Sequence, residues 1–195
     1  MRPRKKKTDT LAPERLVLSP WGAWYASKRP VFWFCGKFSF LLFLYYSVSL
    51  MPFFAPAIGG YLTANARVSH VLLNFFGEPC RITETTIWSA THAVTVLPTC
   101  SALELAWFFC AMVLSFPAPL GRRVWGILAG VPLLLGLNLV RIMSLYYVGV
   151  HFRGAFDAIH EEAWPVVLIL LTIAICSGWI QWARADKPTK PDVAA

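Results

Sequence analysis

Three side chains of complementary chemistry stand at or near the ends of apolar runs: Cys100, Arg141 and His160. Cys100 follows Pro98-Thr99, where a strand-like stretch gives way to an apolar helix. A helix N-terminus stabilises a thiolate and lowers its pKa. Arg141 lies inside an apolar run, where a guanidinium is costly and marks a functional candidate. His160 sits a few residues before the last apolar run, and imidazole is the usual general base near neutral pH. A thiol, a fixed cation and a base are the parts of cysteine-type acyl transfer. Each also has an ordinary explanation. Cys100 could be bridged to Cys80, the other cysteine outside the apolar helices. Arg141 could balance Glu104, one turn inside Cys100 and at a comparable depth in an antiparallel helix. His160 could be a solvated loop histidine, with His92 as a rival base. Asn138, three residues before Arg141, shares its helix face and could orient it.

The remaining cysteines, Cys35, Cys110 and Cys176, fall inside apolar helices and read as small hydrophobes. No CxxC pair and no Cys/His zinc spacing occurs in the sequence, so neither a metal nor a cofactor is expected.

The elements that must position these groups are those of a membrane protein. The chain has 195 residues, 57% hydrophobic and only 14% charged, where a soluble domain carries about a quarter charged residues. Residues 1–30 read as a basic, disordered tail with prolines at 3, 13, 20 and 30 and a Trp-rich entry at Trp21 and Trp24. A membrane domain over 31–182 follows, with spans at about 31–51, 101–116, 124–150 and 163–182. The first run is too long for the core of a cleaved signal peptide. Lys37, near its start, can snorkel to the surface.

Between the first two spans, residues 57–76 show helical periodicity with a polar face and predict an interfacial helix, its apolar side carrying Ile58, Tyr61, Leu62, Val68, Leu72 and Phe75. Residues 81–97 alternate instead, with Trp88, Ala90, His92, Val94 and Val96 on one side, and predict a strand segment or small hairpin. The expected fold class is therefore all-α, with about four transmembrane helices, a small extracytoplasmic interfacial helix and a short strand segment. Residues 183–195 form a second basic tail.

The net charge of +8 is distributed as a topology signal rather than a nucleic-acid surface, so the expected partners are the lipid bilayer and no nucleic acid. With the N-terminus cytoplasmic, the inside segments hold thirteen Lys and Arg and the outside segments only Arg67, Arg81 and Arg153. The positive-inside rule then puts both termini in the cytoplasm, and Cys80, Cys100 and His160 outside the plasma (inner) membrane.

Three strings carry a resemblance: Leu97-Pro98-Thr99-Cys100-Ser101-Ala102-Leu103-Glu104, Asn138-Leu-Val-Arg141-Ile142, and His160-Glu161. In order and spacing they resemble the blocks of the exosortase/archaeosortase family, closest to the short exosortase H type, over residues 35–182. The family commonly has Cys-Ser-Gly where this chain has Ala102 at the third position. The resemblance implies a multi-pass cysteine transpeptidase or protease, a hydrolase of protein sorting. Its substrates would be exported proteins ending in a recognition motif, a transmembrane helix and a basic cluster. Cys100 would be the nucleophile, His160 the general base and Arg141 the oxyanion donor, with Asn138 and Glu104 in support. The competing reading is a non-catalytic assembly or chaperone factor for exported proteins, built on a structural Arg141–Glu104 pair.

Overall fold

Helix α1 (Pro20–Ser49) opens on a proline, whose fixed φ suits the first helical position. The computed structural model describes residues 20–98 and 101–185; the basic segment 1–19, Thr99 and Cys100, and the tail 186–195 lie outside the described residues. Residues 20–30, expected to belong to an irregular tail, are the first turns of α1, and Pro30 lies inside that helix. Its ring removes one ladder hydrogen bond, a loss that a helix of 30 residues can absorb. Trp21, Trp24 and Tyr25 stand exposed along these turns, as aromatic residues do at a bilayer interface. The ammonium of Lys37 lies 5.9 Å from the centre of the Trp33 ring.

A 3-10 turn (Pro52–Phe54) leads into α2 (Ala55–Phe75). Its buried stripe is Leu62, Asn65, Ala66, Ser69 and Leu73, which takes in Leu62 from the apolar side read in the sequence. Val68 and Phe75 are exposed. Small side chains on the buried stripe let α2 approach α4 and the sheet closely, which turns the bulky residues toward the surroundings.

Strands β1 (Arg81–Thr83), β2 (Thr86–Trp88) and β3 (Ala93–Thr95) form an antiparallel sheet in the order β1-β2-β3. The alternation expected over 81–97 is interrupted by the turn at 89–92. Ile87 and Val94 pair across the strands and are buried, whereas Trp88 is exposed on the other face. Ile87, Val94 and Val96 pack with Leu62, Ala66 and Leu73 of α2 and with Ile142 and Tyr146 of α4 in one core.

The other helices are α3 (Leu103–Ser115), α4 (Leu120–His151) and α5 (Trp164–Arg184). Trp24–Ser49, Leu120–His151 and Arg153–Arg184 are long and apolar enough to cross a membrane. The fourth apolar helix, α3, has only 13 residues, about 20 Å at 1.5 Å per residue. It packs against α1, α4 and α5 at once. Two glycines of α4 admit large rings: Gly126 takes Trp179 and Gly130 takes Phe109. Arg122 and Trp179 cross-link the same end of α4 and α5, Arg122 donating to Ala183 O at 2.8 Å and Trp179 to Arg122 O at 3.2 Å.

Candidate active site

The segment that follows β3 is fixed on both sides of positions 99 and 100. Ser101, fully buried, donates to Pro98 O from its main-chain nitrogen (3.1 Å) and from its hydroxyl (2.5 Å). Tyr61 of α2 donates its phenolic hydrogen to Ser101 O at 2.7 Å. Burial pushes the Tyr61 phenol above its ordinary range, which keeps it a donor. Ala102 has φ 54° and ψ 8°, the left-handed region, where a Cβ costs about 1–2 kcal/mol. The position where the family commonly carries glycine is thus one where the backbone calls for it.

Arg141 is nearly fully buried, on the face of α4 that also carries Asn138 and Ile142. His160 lies in a π-helical segment (Ala158–Ala163) just before α5. Such widened turns re-aim side chains and are frequent at functional sites. The His160 imidazole stacks on Phe156, with ring centroids 5.6 Å apart and planes 16° from parallel. Arg141 and His160, 19 positions apart in the chain, line one cavity of about 210 Å³ together with Ile142, Leu145, Phe156 and the run from Ala93 to Leu97. Asn138 is fully buried, and neither its amide oxygen nor its amide nitrogen has a hydrogen-bond partner among the described residues.

The other expected candidates fall elsewhere. His92 is outside the cavity lining: its ring meets Phe156 edge-on at 4.8 Å and fills the space beside Gly149, with Nε2 buried. Glu104 is exposed, and no ion pair joins it to Arg141. It shares the α1-facing side of α3 with Trp107 and Phe108, near Tyr45. Depth along antiparallel helices matched the two charges; the helical angle separates them. Cys80 is a free thiol among the described residues. Burial, and then the Glu78 carboxylate, push its pKa up and leave it a poor nucleophile. Cys100 itself lies outside the described residues. The roles of Tyr61 and Phe156 had no sequence signal, because a phenol on an amphipathic helix and a loop phenylalanine both read as packing. Among the described residues, no group of His, Cys, Asp or Glu side chains could hold a metal ion.

A family model described as transmembrane exosortase matches residues 16–178. The chain belongs to the exosortase family. Comparison with curated proteins found no match, and comparison with solved structures found none either. As an exosortase it is an integral membrane protein of a family of sorting-signal transpeptidases, and the matched residues span the cavity, the sheet and the first two-thirds of α5.

Proposed function

We propose that this exosortase is a cysteine transpeptidase or endopeptidase that processes exported proteins carrying a C-terminal motif, a transmembrane helix and a basic cluster. The observation that supports the reading most is the meeting of Arg141 and His160 in one cavity walled by the strand that leads to Cys100. Leu97 lines that cavity, and Cys100 is three residues further along the chain, within about 11 Å even for a fully extended backbone.

In the proposed reaction His160 takes the thiol proton and the Cys100 sulfur attacks the scissile carbonyl carbon. The C–S bond forms as the carbonyl π electrons move to oxygen, and Arg141 stabilises that oxyanion in a partly dry site. The intermediate collapses with cleavage of the C–N bond, and the protonated imidazole gives its proton to the departing amine. An amine acceptor then takes the acyl group from sulfur, or water does if the enzyme is a protease only. Asn138, one turn before Arg141 and fully buried, is proposed to help fix the guanidinium.

Four apolar helices return the chain to the side on which it began. The distribution of Lys and Arg makes that side the cytoplasm and the site extracytoplasmic, at the plasma membrane. The experiment follows an exported reporter ending in such a tail, co-expressed with the full chain. Wild type is expected to shorten it, Cys100→Ala to leave it intact at wild-type abundance, and Cys80→Ser to retain most processing. A reporter adduct on Cys100 would establish the acyl-enzyme; full processing by Cys100→Ala would reject the proposal.

A further inference from the structure

Five consecutive residues, Ala93 to Leu97, line the cavity that holds Arg141 and His160. Successive side chains of a strand point to opposite faces, so an unbroken run of lining residues means that the cavity meets the edge of the strand. Among the described residues β3 is an edge strand, paired with β2 alone.

The hydrogen-bond pattern says which main-chain groups that edge presents. Ser89 N donates to His92 O at 2.8 Å and Val96 N to Thr85 O at 2.9 Å. Thr86 pairs with Thr95, Ile87 with Val94 and Trp88 with Ala93. Antiparallel pairs alternate between bonded and non-bonded, so His92, Val94 and Val96 turn their amides to β2 while Ala93, Thr95 and Leu97 turn theirs away. The Thr86 and Thr95 hydroxyls lie 3.0 Å apart, as the closer side chains of a non-bonded pair allow. Among the described residues, no backbone hydrogen bond reaches the N–H or C=O of Ala93, Thr95 or Leu97 from the outer side.

We propose that this edge of β3 receives an extended segment of the substrate as a fourth, parallel strand. The proposal rests on the transpeptidase reading and adds how the substrate is held. Strand addition satisfies the outward amides through the substrate's own backbone, and is a recurrent way of binding extended peptides. The direction follows from how β3 lies on α4. His92 packs at Gly149, near one end of α4, whereas Leu97 shares the cavity with Arg141, two turns deeper. β3 therefore descends toward the start of α3. A substrate with its folded domain outside and its helix in the bilayer descends the same way, so the two strands run parallel. Thr95 N–H and C=O would then bracket a single substrate residue, as parallel pairing requires.

The test uses the full-length chain in membranes with Cys100→Ala and Cys80→Ser, and one new cysteine at Ala93, Thr95 or Leu97. The probe is an exported reporter bearing a C-terminal tail that the wild-type chain shortens, with a single cysteine walked through the residues before its transmembrane helix. On mild oxidation, the substrate position that crosslinks is expected to advance toward the C-terminus by two residues for each two-residue step along β3. Crosslinks that run in the reverse order, or one substrate position that reaches all three sites equally, would overturn the proposal and leave the transpeptidase reading intact. If the wild-type chain shortens no such tail, that reading falls and the proposal with it. Thr95→Pro gives a second measurement, since proline is tolerated where an edge N–H faces outward. Loss of one backbone hydrogen bond is expected to lower kcat/KM by about fivefold, mainly through KM. Wild-type kinetics for Thr95→Pro would overturn the proposal; if that variant does not accumulate, the crosslinking order alone decides.

Discussion

Tyr61 and Ser101 are joined across forty positions of sequence by a hydrogen bond of 2.7 Å from the phenol to the carbonyl oxygen. This bond fastens the start of α3 to α2, a helix otherwise engaged with α4 and the sheet. Tyr61→Phe keeps the ring and removes only the donor. We expect a stability loss of about 1 kcal/mol and a larger proportional fall in processing, because the segment it holds adjoins Cys100. Thermal unfolding in detergent and reporter cleavage measure the two effects. Equal stability with unchanged cleavage would mean that the bond positions nothing.

Ala102→Gly is expected to stabilise the protein. A left-handed alanine costs about 1–2 kcal/mol, and the entropy that glycine loses on folding offsets part of that. The net gain of up to about 1 kcal/mol corresponds to roughly 2–4 °C in Tm for a chain of this size. Melting of the purified variant beside wild type is the measurement, and a lower Tm would contradict the assigned conformation.

The two histidines should separate cleanly. His160→Ala is expected to cost about a hundredfold to ten-thousandfold in processing at normal abundance, the usual range for a general base. His92→Ala is expected to act on folding, since its ring fills the space beside Gly149. A methyl group added at Gly149 would meet that ring at 2.2 Å, so Gly149→Ala should reduce abundance and His92→Ala should partly restore it. Membrane abundance of the two single variants and the double variant tests the packing claim. A larger catalytic loss for His92→Ala than for His160→Ala would transfer the base role.

For Arg141, charge and geometry can be separated. Arg141→Lys keeps a cation but loses the planar fork of donors, and is expected to accumulate while losing most activity. Glu104 makes no ion pair with Arg141, so Glu104→Gln should not rescue Arg141→Gln. Near wild-type cleavage by that double variant would restore the structural pairing as the explanation for both residues.

The elements legible in the sequence are those set by periodicity: four apolar helices, an interfacial helix and a small sheet. Positions of single groups in chain order, such as Arg141 in the second half of α4 and His160 before α5, are legible too. What sequence could not give was rotation about a helix axis. Depth alone matches Glu104 to Arg141, and periodicity alone does not single out Asn65, Ala66 and Ser69 as part of the buried stripe of α2. Lipid rewards exposed apolar side chains, so hydrophobicity alone does not mark the inside. Pro30 misled in another way, since a proline ends helices in water more readily than within a bilayer helix.

The 13-residue length of α3 also sets a relation between this protein and its lipids. A helix of about 20 Å cannot fill a hydrocarbon layer of about 30 Å. If the short turn into α4 lies at one surface, the other end of α3 would begin inside the layer that acyl chains otherwise occupy. Longer acyl chains would sink the start of α3 deeper and shorter ones would lift it toward the headgroups. On the proposed transpeptidase reading, bilayer thickness would set how far a substrate tail is drawn below the surface before it meets the cavity of Arg141 and His160.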